Sequence, residues 1–247
     1  MKPNISFFFP AFNDAGTVEK LTLAALDVLK KVANKYEVII INDGSFDDTG
    51  KVADKVAARY ANVVVKHHLY NIGYGAALKT GFYTARYDLI YYTDGDMQYK
   101  PNELQKMLPF LKEADIVTGY KTNRADNWTR GVSAWFYNLM VRLFLRIHFK
   151  DVDNACKLIK REVIDDVQLV INSGFICAEI FAKAIKKGYK VKEVPVEHFP
   201  RTYGRSSSFD FFFILRSIVE LMELWWDIIL RDKFYRARQR FWSVIYG

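Results

Sequence analysis

The chain has 247 residues, of which 51% are hydrophobic, 26% charged and 16% aromatic, and its formal net charge is +8. That is enough for one or two folded domains with a substantial core, and the mix excludes a disordered, collagen-like or disulfide-stapled chain. The positive excess favours an anionic partner, whether nucleic acid, a phosphorylated metabolite or a membrane surface.

Residues 5–9 form an apolar run closed by Pro10 and read as a buried strand. Asn13 and Asp14 stand where they can cap a helix over about 17–33, with Val18, Leu21, Ala25, Leu29 and Val32 at helical spacing. Residues 38–41 are a second strand ending in Asn42-Asp43-Gly44-Ser45, and a helix over about 49–60 follows, with Asp48 as its cap. A third strand spans 63–66. Asn71-Ile72-Gly73-Tyr74-Gly75 then opens a small-residue helix over 76–85. Residues 89–93 and 116–119 supply strands four and five. Strand and helix alternating at these lengths specify an α/β fold, a mostly parallel sheet flanked by helices.

The fourth strand ends in Asp94-Gly95-Asp96. Asp and Gly are common in solvated turns. Two acids one residue apart also repel each other unless a cation lies between them, and hard oxygen ligands at that spacing suit Mg²⁺ or Mn²⁺. Asn13, Asp43, Asn71, Asp94 and Asp96 all fall just past the carboxyl ends of predicted strands, the edge at which open α/β sheets bind ligands. Random turns would scatter acids over both edges, so the clustering predicts one site. The Asn71-x-Gly73-x-Gly75 loop lacks the lysine-serine pair of a P-loop and the spacing of a dinucleotide loop, though its glycines permit close approach to a ligand.

The second half carries the basic and aromatic residues. Lys121, Arg124 and Arg130 precede a predicted helix over 132–149, and His198, Arg201 and Arg205 lie in one loop suited to phosphate oxygens. A further helix over 209–231 bears Arg216, Glu220, Glu223, Asp227 and Arg231 as one polar stripe on an apolar cylinder. A basic, aromatic tail follows. Basic plus aromatic side chains suit a headgroup interface; burial against the rest of the chain or in a homo-oligomer covers the same helix equally well. Cys156 and Cys177 give no disulfide framework and read as reduced core thiols. No leader segment and no membrane-spanning run of ~18–20 apolar residues is present, so the expected location is cytoplasmic.

In this order the blocks resemble the family 2 inverting glycosyltransferases of GT-A, Rossmann-like fold, in particular the dolichol- or polyprenol-phosphate sugar synthases. Pro10-Ala-Phe-Asn13 is similar to that family's Pro-Ala-Tyr-Asn-Glu opening, with Asp14 replacing Glu. Asp43-Gly-Ser-x-Asp47-x-Thr49, Asn71-x-Gly73-x-Gly75 and Asp94-Gly-Asp96-Met-Gln98 match successive blocks. Lys121 departs from the usual Arg of Gly-x-Arg. Asp151-Val-Asp153-Asn-Ala-Cys156-Lys157 and Val194-Pro195-Val196 through Arg201 to Gly204-Arg205-Ser206 match the last two. The likeness implies a catalytic domain over 1–206, and the amphipathic helix with its basic, aromatic tail over 207–247 is expected to associate with a membrane, hence a peripheral membrane enzyme.

By the same resemblance Asn13 and Asp43 contact the base and ribose of a GDP- or UDP-sugar. Pro10, Asn71, Lys79, Gly95 and Gln98 complete the donor side. Asp94 holds the ribose or the metal, and Asp96 binds Mg²⁺ or Mn²⁺ on the donor diphosphate. Lys121, Arg124, Arg130, Arg201 and Arg205 meet the phosphates, including that of a polyprenyl phosphate acceptor. Asp153 stands at the position of the family's catalytic carboxylate. A phosphate acceptor is already largely ionised at neutral pH, since its second pKa is about 6, and needs only orientation; an alcohol acceptor, such as a glycan or diacylglycerol, needs a base. Nucleic acid is disfavoured as a partner, because no such binding motif is present and strand-tip acids repel phosphates without a cation.

Overall fold

The structure, a computed structural model, describes residues 2–122, 137, 139–201, 203, 219–226 and 228. Seven strands form one sheet in the order β3-β2-β1-β4-β6-β5-β7. They are β1 (Ile5–Ala11), β2 (Tyr36–Asn42), β3 (Val63–His67), β4 (Leu89–Tyr92), β5 (Ile116–Lys121), β6 (Lys157–Lys160) and β7 (Val191–Val196). β1, β2 and β4 are apolar and almost wholly buried, as strands covered by helices on both faces must be. Helices that flank the sheet include α1 (Val18–Val32), α2 (Thr49–Arg59), α3 (Tyr74–Thr84), α4 (Glu103–Met107), α5 (Arg161–Val167) and α6 (Ile176–Lys186).

β1 runs two residues beyond the sequence expectation and takes Pro10 into the strand, opposite Ile41. Pairing with β4 stops at Phe8↔Tyr92, so Pro10 lies where β1 has a ladder neighbour on one side only, and a missing N–H is tolerated there. The caps also differ. Neither Asn13 nor Asp14 caps α1 through its side chain, and Asp48 makes no cap bond either. Asp48 pairs instead with Lys51 at 2.7 Å, while Asp47 Oδ1 accepts the Thr49 N–H at 2.9 Å. The helix expected over 132–149 ends at residue 145, and Arg146 turns to φ 57°.

β6 is antiparallel to both β4 and β5, and this reversal sets the site. The beginning of β6 meets the end of β4 at Tyr92↔Lys157, and β7 runs parallel to β5. The segments following β1, β2, β3, β4, β5 and β7, and the one preceding β6, therefore share a single edge. Cys156 and Cys177 are free and buried, and accept or donate to Tyr91 and Tyr92 hydroxyls at 3.0 and 3.1 Å.

Residues 219–225 are helical, and Leu221, Leu224 and Ile228 join the same core as the sheet. Glu220, expected in the polar stripe, accepts the Ser173 N–H at 3.1 Å, whereas Glu223 is exposed. Arg216, Asp227 and Arg231 of that stripe lie outside the described residues.

Candidate active site

The loop after β4 is built tightly against β1. A Cβ on Gly95 would stand 2.5 Å from the Pro10 carbonyl oxygen and 3.3 Å from Asp14 Oδ2, so only glycine lets the two strand ends approach this closely. Met97 then takes φ 63°, and Asn13 on the facing loop takes φ 56°. Non-glycine residues in that region carry strain that the surroundings must hold, and such residues gather at functional sites. Asp96 Oδ1 accepts the Gln98 N–H at 3.0 Å, and Asp96 Oδ2 accepts from the Arg201 guanidinium at 2.7 Å.

Four carboxylates follow one another at this edge as a chain of electrostatic neighbours: Asp14 feels Asp96, and Asp94 feels both Asp96 and Asp153. Burial, then the Asp96 charge, pushes the Asp94 pKa up to about 7, against a 3.0 Å bond donated by the Tyr74 hydroxyl. Burial raises Asp14 to about 6; the Phe12 N–H and Arg201 oppose it and Asp96 adds to it. Asp14 Oδ1 is buried with no hydrogen-bond partner. Asp153 still reaches solvent, yet the protein around it and the neighbouring Asp151 raise it to about 6, with Lys157 and Lys121 opposing. Its turn is locked by Asn154, which donates to the Tyr99 hydroxyl at 3.1 Å and to Asp151 at 3.2 Å, and accepts the Cys156 N–H at 2.9 Å. The buried Lys157 ammonium donates to the Asn154 carbonyl from beneath.

Asp14, Asp94 and Asp153 with raised pKa values, set around Asp96, and one unpartnered buried oxygen fit a divalent cation, which would relieve the repulsion with hard oxygen ligands. Among the described residues no group of three or more His, Cys, Asp or Glu side chains forms a metal cage. The fit is thus to a cation held by one or two carboxylates, its remaining positions filled by water and diphosphate oxygens, as is usual for Mg²⁺.

The donor-side residues form a second, adjoining network. Asp43 is buried and fully engaged: His68 Nδ1 lies 2.6 Å from Oδ1, and the Ile72 and Gly73 N–H groups donate to it at 3.1 Å each. It fixes the loop that opens α3. Asn13 Oδ1 accepts the Phe46 N–H at 3.1 Å and its own N–H donates to Ser45 Oγ at 3.0 Å, tying the loops after β1 and β2 together. Asn71 is exposed on the rim of that loop. Lys79 lies apart from these groups, one turn into α3 past Gly75, and donates to the Val170 carbonyl at 3.1 Å. Lys121 is half-buried at the end of β5 and contributes to the field at Asp153. Arg124, Arg130 and Arg205 lie outside the described residues. A surface hollow between α1 and Tyr60 carries none of these groups.

Asp14, Tyr74, His68 and Asn154 are the site residues that sequence reasoning passed over. Asp14 read as a cap and Tyr74 as a spacer between two glycines. The available signal was position alone: Asp14, Tyr74 and Asn154 sit within or beside a motif that the sequence marks, and His68 lies three residues before Asn71.

Fold and site together define an α/β protein whose carboxylates and cations converge on the edge where such sheets bind nucleotides and phosphates. The sequence profile of Glycosyl transferase family 2 matches residues 6–168, and the chain belongs to that family. It is 30% identical to glycosyltransferase AglD of Haloferax volcanii over 94% of this chain and 38% of AglD. It is 26% identical to the undecaprenyl-phosphate 4-deoxy-4-formamido-L-arabinose transferase of Aeromonas hydrophila, over 91% of this chain and 66% of that one. Dodecaprenyl-phosphate galacturonate synthase of Rhizobium johnstonii is 28% identical over 82% of this chain and 61% of its own length. The chain thus spans between 38% and 66% of these relatives. Among solved structures, glucosyl-3-phosphoglycerate synthase of Mycobacterium tuberculosis in complex with UDP superposes with a TM-score of 0.67 at 16% identity, covering 90% of this chain and 80% of that one. The same enzyme with Mn²⁺ and UDP-glucose gives 0.66 at 15% identity, over 90% and 79%. The fold is GT-A.

Proposed function

We propose that the chain transfers one sugar, with inversion, from a GDP- or UDP-sugar to a polyprenyl phosphate at a membrane surface. The observation that carries this reading is the convergence of Asp94, Asp96, Asp14 and Asp153 with Arg201 at one sheet edge. The acceptor class is supported by the relatives named as undecaprenyl- and dodecaprenyl-phosphate enzymes.

Asp96 and Asp94 would hold Mg²⁺ or Mn²⁺, which when bound supplies Lewis-acid stabilisation to the leaving diphosphate. The chain's own residues do the rest. The loop fixed by Asp43 and His68 positions the nucleoside, and Tyr74 orients Asp94. Arg201 and Lys121 offer positive charge to phosphate oxygens. Asp153, on its locked turn, faces the acceptor. A phosphate oxygen forms the new bond to the anomeric carbon as the sugar–diphosphate bond on the opposite face breaks. An ionised acceptor brings no proton to remove, so Asp153 orients it.

A second reading, transfer to a hydroxyl of a glycan or diacylglycerol, is favoured by one observation: an accessible Asp153 with a pKa of about 6 suits a general base near neutrality. A donor panel of GDP-mannose, UDP-glucose and UDP-N-acetylglucosamine tests both. Nucleoside diphosphate released only when polyprenyl phosphate is present supports the first. Release that requires a hydroxyl acceptor moves the assignment to the second. Absence of release with every pair sinks both.

A further inference from the structure

Both oxygens of Asp96 are engaged from within the chain, Oδ1 by the Gln98 N–H and Oδ2 by Arg201. The arginine does not arrive there by chance. Phe199 exchanges backbone and side-chain bonds with Gln98 at 2.9 and 3.3 Å, which brings the segment after β7 over the acids. Arg201 also acts electrostatically on Asp14 and Asp94, opposing the rise in both pKa values. A guanidinium on Asp96 opposes a divalent cation there twice, by occupying an oxygen and by charge repulsion. The same planar fork matches phosphate oxygens as well as it matches a carboxylate.

We infer that Arg201 guards Asp96 against the cation until a donor diphosphate draws the guanidinium away, so that cation and donor each bind better in the presence of the other. The inference rests on reading Asp96 as a cation ligand of a nucleotide-sugar transferase. Linkage makes the effect reciprocal: whatever factor the nucleotide adds to cation affinity, the cation adds to nucleotide affinity. Without Arg201 the bare site gathers a cation on its own, and part of that mutual dependence disappears.

The test is direct Mn²⁺ binding to the full chain, read from the loss of the free-ion electron paramagnetic resonance signal, with and without UDP or GDP. The wild type is expected to bind Mn²⁺ weakly alone and more tightly with the nucleotide. Arg201→Gln is expected to bind Mn²⁺ alone about tenfold more tightly, with a similar loss in the enhancement by nucleotide, within the usual coupling range of about 5–150-fold. Arg201→Lys, which keeps a charge without the fork, is expected to fall between them. If Arg201→Gln and Arg201→Lys bind Mn²⁺ alone no more tightly than the wild type, the guard is overturned while the metal assignment stands. If the wild type takes up no Mn²⁺ even with nucleotide, the reading of Asp96 itself is overturned and the guard with it.

Discussion

The Gln98 side-chain amide donates to the Phe199 carbonyl at 3.3 Å, and the Phe199 N–H returns a 2.9 Å bond to the Gln98 carbonyl. The Lys100 ammonium sits 4.0 Å from the centre of the Phe199 ring on the same seam. This clasp joins the carboxylate loop after β4 to a segment 101 residues further on. Gln98→Ala removes one of the two bonds and leaves the backbone bond. A hydrogen bond of this kind is worth about 0.5–1.5 kcal/mol net, so kcat/KM is expected to fall about two- to tenfold as Arg201 loses its placement. Circular dichroism should show an unchanged fold. Wild-type kinetics in the variant would mean that the clasp has no part in placing Arg201.

Asp96→Ala removes the carboxylate that Arg201 holds and that is proposed to bind the cation. Transfer is predicted to be abolished with the fold intact, and chelation of the wild type by EDTA should reproduce the loss. Restoring Mg²⁺ or Mn²⁺ should restore the wild type and not the variant. Full activity of the wild type in excess chelator would remove the metal from the mechanism.

The strands that lead to the candidate site's edge are legible because each is an apolar run of β-formers closed by Asp, Asn, Gly or Pro. Strand period and turn residues are local signals, and the acids at the strand tips inherit their common edge from a parallel sheet. β6 and β7 were not read as strands. Lys157–Lys160 is four residues long with a lysine at each end, and Val191–Val196 has charged residues and a proline within it. Only their pairing with β4 and β5 makes them strands, and pairing is not a local property. Asp14 was misread for a related reason. An Asp before a helix satisfies the cap pattern, whereas its side chain turns inward to the Phe12 N–H at 3.1 Å because Gly95 admits it there.

Asp14 also fixes a dependence of stability on pH. Its pKa is raised from 3.8 to about 6 in the folded state, so folding holds a proton that the unfolded chain releases first. Below about pH 4 the group is neutral in both states and has no effect. Between about pH 4 and 6 stability falls, and above about 6 the full cost is present. Two pKa units correspond to about 3 kcal/mol as an upper figure. Asn at this position keeps an acceptor for the Phe12 N–H and carries no charge. Without divalent cation, Asp14→Asn is predicted to raise Tm at pH 8 by at most about 6–12 °C, on the scale of about 2–4 °C per kcal/mol for a chain of this size, and by little at pH 4. Equal shifts at the two pH values would contradict a buried-charge origin.

The C-terminal helix has two apolar faces with different expected covers. Leu221, Leu224 and Ile228 are buried in the core, and full burial of such a side chain is worth about 1.5–3 kcal/mol, so the described turns stay docked. Val219, Met222 and Trp226 point outward, roughly half exposed, one helical face apart from the first set. Beyond them the sequence from Arg231 to Arg240 has five basic residues and one acid, Asp232, a net of +4. Near an anionic leaflet each basic residue contributes ~1 kcal/mol, so the tail could supply up to ~4 kcal/mol, roughly three decades in affinity. Its charges are screened by salt, whereas the apolar face is not. Truncation after Leu230 is therefore predicted to abolish most of the salt-sensitive binding to anionic vesicles and to slow transfer to long-chain lipid while a short-chain acceptor is still used. Met222→Glu should weaken the salt-insensitive remainder. Sedimentation with phosphatidylserine-containing vesicles at two salt concentrations separates the two contributions. If the full chain does not sediment at either concentration, a protein surface covers Val219, Met222 and Trp226, and the oligomeric state of Met222→Glu should then differ from that of the wild type.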